Sequence, residues 1–162
     1  MPSTIHPTKA KLIEATSKLL KTVDRAHLTS DMILEESGIS KGSLYHHFED
    51  LEELIEAAVI QRYARWVDAS IELMTQLLTS AASSDDIYSG LTGITRRTQS
   101  DEFRAERQNR IDVLSRAGSS KRFAKLLGEE QQRLTDALTD LIREAQERGC
   151  RRLRPWSTLE KG

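Results

Sequence analysis

Residues 41–48 read Lys-Gly-Ser-Leu-Tyr-His-His-Phe and gather several side chains able to do chemistry. Metal ligation by His46 and His47 fits poorly. Adjacent residues of a helix point about 100° apart, and no Cys/His/Asp cluster at ligand spacing accompanies the pair. Nucleophilic attack by Ser43, with a histidine as base, lacks an acid at a telling position and any oxyanion or cofactor motif. No enzyme activity, no metal and no cofactor are therefore expected. Recognition remains. Lys41 can neutralise a phosphate or donate to guanine, and Ser43 is short enough for close approach and bonds base or phosphate. The Tyr45 hydroxyl can reach a phosphate, while His46 and His47 donate hydrogen bonds.

Three further sets carry chemical potential. Cys150 beside Arg151 and Arg152 has the surroundings of a low-pKa thiol, and equally those of a plain surface or interface cysteine. Arg96, Arg97, Arg104, Arg107 and Arg110 could pair with an anionic effector, or form a solvated or salt-bridged face with nearby acids. Tyr63, Trp66, Met74, Tyr88, Ile94 and Phe103 could line a ligand cavity, or be core residues of a bundle.

The elements that must position these residues are helices. No proline interrupts residues 8–154, and no alternating strand pattern appears. The expected fold class is all-α. Residues 8–23 repeat apolar side chains at helical spacing with lysines between them. Thr29 or Ser30 caps a second helix, 30–36, which buries Ile33 and Met32. Gly38 stands where a left-handed turn residue is wanted, Ile39 plugs the turn, and Ser40 caps a third short helix. In that helix Leu44 and Phe48 face inward, which leaves Lys41, Ser43, Tyr45 and His46 outside. Gly42 costs about 1 kcal/mol against alanine in a helix, a cost that makes sense where the backbone must approach another surface.

A long helix is expected over 50–79, with a stripe through Leu51, Leu54, Ile55, Ala58, Arg62, Trp66, Ala69, Leu73 and Leu77. Others follow over 87–99, 101–117 and 121–148, with Gly149 ending the last and a basic, irregular stretch after it. Composition agrees with a helical protein outside the membrane. The chain has 162 residues, 38% hydrophobic and 30% charged, and no apolar run nears the roughly 20 residues of a membrane span. The net charge of -1 does not advertise nucleic-acid binding. A single cysteine rules out an intrachain disulfide, and a reducing cytoplasm is the expected compartment.

Two helices joined by a tight glycine turn form a helix-turn-helix pattern, whose second helix enters the DNA major groove. Pattern alone leaves an ordinary helical hairpin open. The segment 15–54, however, resembles the DNA-binding domain of TetR-family transcriptional regulators. The likeness lies in Ile33, the Ser37-Gly38-Ile39-Ser40 turn and above all the run from Lys41 to Phe48. It implies a three-helix head over 1–50, a helical domain over 51–149 that dimerises and binds a small molecule, and a tail over 150–162. Ser40, Lys41, Gly42, Ser43, Tyr45, His46 and His47 would touch DNA, and Thr29 or Ser30 would hold a phosphate. The function implied is a homodimeric repressor on a near-palindromic double-stranded operator, released by a small-molecule effector.

Two departures qualify the likeness. Leu51 stands where the family usually carries a phosphate-binding lysine, with Glu49 and Asp50 beside it, so weaker DNA affinity is expected. The family's two further long helices, which build much of its dimer interface, have no counterpart after 149. The alternative is a helical protein-interaction module that has lost independent operator binding.

Overall fold

The computed structural model describes residues 5–118 and 120–147. These form seven α-helices with no strand among the described residues, as the all-α expectation requires. Gly149, Cys150 and the basic stretch after it lie outside the described residues.

Helix α1 (Pro7–Leu19) starts on a proline, whose missing N–H would be unsatisfied there anyway. It packs Leu12, Ile13 and Ala15 inward. Buried Thr16 is satisfied by donating to the Leu12 carbonyl at 2.8 Å. The helix stops four residues before the expected Val23, because Lys21 and Thr22 bond to the carbonyls three residues back and tighten the last turn. Leu20 and Val23 still pack on the core.

A 3-10 turn (Arg25–His27) leads to α2 (Ser30–Ser37), α3 (Lys41–His47) and the 30-residue α4 (Leu51–Ser80). Met32, expected inside, is only half-buried. Ile33 takes the inward position of α2 at 0% exposure. Helices α5 (Ser84–Thr98), α6 (Arg104–Arg116) and α7 (Lys121–Glu147) complete the order. A capping box opens α5: Asp86 Oδ2 accepts from the Ser83 N–H at 2.9 Å, and Ser83 Oγ accepts from the Asp86 N–H at 3.2 Å. The Ser83 hydroxyl also donates to Asp86 Oδ2, at 2.9 Å, and this bond first, then the Ala82 and Ser83 N–H groups, hold the Asp86 carboxyl below its ordinary range.

The helix expected over 101–117 is divided into a 3-10 turn (Asp101–Phe103) and α6. Arg107 Nη1 explains the tight junction, since it donates to the Thr98 and Ser100 carbonyls at 2.6 and 2.7 Å.

The stripe expected on α4 holds for Leu54, Ile55 and Ala58 and then fails. Arg62 and Trp66 each stand one residue, about 100°, away from the inward position. The buried line runs instead through Val59, Tyr63 and Val67, while Ala69 and Leu73 are exposed to the cavity described below. On α7, Phe123 and Leu127 are buried, but Ile142, expected inside, is 41% exposed.

One hydrophobic core runs without a break from Leu12, Ile33, Leu44 and Phe48 through α4 to Val113, Phe123 and Leu127. Each such fully buried side chain contributes about 1.5–3 kcal/mol. Ion pairs brace α4 on several sides. Arg65 meets Glu14 of α1 at 2.6 Å, Arg133 of α7 meets Asp68 at 2.6 Å, and Arg25 pairs with Glu52. Buried Glu56 pairs with Arg122 at 2.8 Å, and that carboxylate raises the affinity of Arg122 for its proton.

Candidate nucleic-acid interface and the cavity behind it

The α2–α3 corner is specified locally. Thr29 Oγ1 accepts from the Met32 N–H and Ser40 Oγ from the Ser43 N–H, so both short helices start on their own side-chain caps. Gly38 has φ 66°, a left-handed conformation that glycine adopts without steric cost. Ile39 packs over the turn against the core. Behind α3, Leu44 and Phe48 are 0% and 2% exposed. This fixes the opposite face: Lys41, Gly42, Tyr45 and His46 are exposed, and Ser43 and His47 are half-buried. Thr29 and Ser40 are also exposed and Ser30 is half-buried, so every residue of the sequence-derived set reaches solvent. The Ser40 and Ser43 hydroxyls bond each other at 3.0 Å.

Two residues outside that set join its edge. The His6 ring lies 4.8 Å from that of His47, which lies 5.1 Å from that of His46. Lys9 Nζ sits 5.0 Å from the Phe48 ring centroid. Partial desolvation first, then His6, His46 and Lys9, lower the affinity of His47 for a proton. Nothing local in the sequence marks His6 or Lys9; their place depends on how α1 packs across the end of α3. Leu51, at the position of the family's usual lysine, is half-buried against the core. Asp50 is engaged in capping α4, where it accepts from the Glu53 N–H at 2.7 Å.

The family model for bacterial regulatory proteins of the tetR family matches residues 12–58, which span this corner and the start of α4. HTH-type transcriptional regulator UidR of Escherichia coli strain K12 is 20% identical over 149 residues, covering 92% of this chain and 71% of that one. Residues 12–58 are thus similar to the tetR family of bacterial regulatory proteins. Regulators of that family bind DNA rather than act as enzymes. Two solved structures share the fold of this chain. SCO7518 of Streptomyces coelicolor A3(2), a candidate transcriptional regulator, superposes with TM-score 0.61 at 19% identity over 82% of this chain and 74% of that one. A candidate TetR-family regulator of Mesorhizobium loti MAFF303099 gives TM-score 0.66 at 22% identity over 88% and 69%. No helix among the described residues is long and apolar enough to cross a membrane.

Behind this head, α4, α5 and α6 line a half-open cavity of about 620 Å³. Trp66, Met74, Ile94 and Phe103, four of the six residues suggested by the sequence, line it. Tyr63 does not. It is buried at 7% exposure, with its ring 5.3 Å from that of Trp66, and lines a smaller adjoining recess. Tyr88 is 72% exposed. Ile87 takes the inward position of α5, and the next residue is turned about 100° away from it.

The arginines divide by role. Arg104 pairs with Asp101 at 2.5 Å, and Arg107 ties α5 to α6. Arg96 is exposed and does not line the cavity. Arg97 and Arg110 do line it, with their guanidinium carbons 5.2 Å from the Phe103 ring centroid and 5.0 Å from that of Trp66.

Proposed function

We propose that the chain is a cytoplasmic homodimeric repressor that binds a near-palindromic operator and leaves it when a small molecule enters the α4–α5–α6 cavity. Residues 1–50 act as the reading head and 51–149 as the effector and dimerisation region. Repression lifted by an effector is general to the family.

The observation that carries the reading is the outward face of α3. Lys41, Ser43, Tyr45 and His46 stand on a short helix anchored from behind by buried Leu44 and Phe48. Such a helix lies in the major groove, where its side chains reach base edges and phosphates. In a dimer two of them would sit about 34–36 Å apart, one turn of DNA. Thr29 and Ser30 would hold a phosphate at the start of α2, and Gly42 would let the α3 backbone approach closely. With Leu51 turned inward, one phosphate contact is lost, which lowers both the affinity and its salt dependence.

Selection of binding sequences from random duplex DNA tests this with the purified chain. An enriched inverted repeat is the expected result. A single half-site would remove the dimer from the proposal, and no enrichment at any salt would leave a helical protein-interaction module in its place.

A further inference from the structure

We propose that the cavity takes an organic acid: a ligand with an aromatic or aliphatic body and one carboxylate, held by Arg97, Arg110 and Arg62. This rests on the reading of the cavity as the effector site. Three observations carry it.

The first is the lining. Trp66, Leu73, Met74, Ile94 and Phe103 give the cavity a mainly apolar wall, which suits the body of the ligand.

The second is the charge at the end nearest α6. The cavity and the adjoining recess share Trp66, Glu106 and Arg110, and the recess adds Arg62. Three arginines thus line these two adjoining spaces, whose linings hold one carboxylate, Glu106. Partial burial first, then Arg116, lower the affinity of Arg62 for its proton, and Asp112 raises it.

The third is the lack of internal partners. Arg25, Arg65, Arg104, Arg122, Arg133 and Arg143 are all in ion pairs. Among the described residues no carboxylate comes within 4.0 Å of Arg62, Arg97 or Arg110. Arg97 and Arg110 rest on aromatic rings instead, which orients their forks without using their N–H donors. Arg62 and Arg110 are half-buried, so those donors gain more from an anionic acceptor than they would in water. A carboxylate is planar and accepts two parallel N–H bonds, which matches the fork. A neutral ligand of the same shape would leave the three arginines without a carboxylate within 4.0 Å.

Calorimetric titration of the full chain with naphthylacetate and with naphthylacetamide tests this. The two probes differ chiefly in charge. The acid is expected to bind about tenfold tighter or more, a difference of roughly 1.4 kcal/mol. Raising salt from about 0.05 to about 0.5 M should weaken the acid and leave the amide unchanged. In Arg97→Gln/Arg110→Gln the preference should vanish while amide binding persists, which also reports an intact cavity. Should that variant not fold, the salt comparison on the unaltered chain decides alone.

Amide binding as tight as acid binding would overturn the organic-acid proposal and leave the effector cavity standing. An acid preference that survives in the folded double variant would place the acid elsewhere and overturn it too. If neither probe binds, and Trp66→Ala changes nothing, both the proposal and the effector reading of the cavity fall.

Discussion

On α3 the side chains proposed to meet DNA come from one short run, Lys41 to His47, and each is aimed by something within a few positions of it. Ser40 caps, Gly38 turns, and Leu44 and Phe48 anchor. The cavity draws its lining from α4, α5 and α6, and Trp66 meets Arg110 only because those helices pack together. The two regions also treat charge differently. The α3 surface leaves its polar groups in water, where a phosphate backbone can find them. The cavity holds half-buried Arg110 and exposed Arg97 against aromatic rings. A surface aimed by local chemistry tolerates change elsewhere, whereas a cavity assembled at long range depends on every packed joint.

The sharpest way to break this contrast is through the core that both regions share. Phe123→Ala should cost about 3–5 kcal/mol, because the site is fully enclosed and collapses poorly. Chemical denaturation should show one transition moving earlier. Loss of the cavity with a fully stable head would mean that the two regions are energetically separate.

Lys41→Ala/Tyr45→Ala should sharpen the contrast. Both residues are exposed, so the melting temperature should hold while operator affinity, read by fluorescence anisotropy, falls about 100-fold, from contacts of roughly 1–3 kcal/mol each. Naphthylacetate binding should be untouched.

Glycines make a matched pair at smaller scale. A methyl group at Gly42 or Gly128 meets nothing within 4 Å in the free chain. Alanine at either position should therefore raise stability by about 0.5–1 kcal/mol, or a few degrees in melting temperature. Only Gly42→Ala should weaken operator binding, because only there does DNA have to approach the backbone.

The smallest effect concerns pH. The proton affinity of His47 is lowered in the folded chain, so below about pH 6.5 the unfolded state takes up that proton first and stability falls. DNA phosphates favour the charged imidazole, so operator affinity should rise severalfold over the same fall in pH. His47→Gln should flatten both trends, and parallel melts and anisotropy titrations would reveal it.

Legibility followed the same division. The caps at Thr29 and Ser40, the turn at Gly38 and the inward Leu44 and Phe48 could be read from the sequence because each depends on neighbours in the chain. On α4 the reading went astray after Ala58. That helix has two apolar faces, one against α7 and one on the cavity, and periodicity cannot tell them apart. Tyr88 was misplaced for a related reason: an aromatic residue one position from the inward Ile87 looks like a cavity residue until the rotation of the helix is known. The Glu56–Arg122 pair joins residues 66 positions apart and left no local mark.

The unbroken core has a consequence for anyone building chimaeras from this regulator. A cut at residue 50 would separate Leu44 and Phe48 from Leu54, Ile55 and Ala58, their partners across one apolar joint. The excised reading head would then carry a raw greasy patch and invite clumping. A graft that keeps the first turns of α4 with the head, and supplies a recipient surface shaped like Phe123 and Leu127, would travel better.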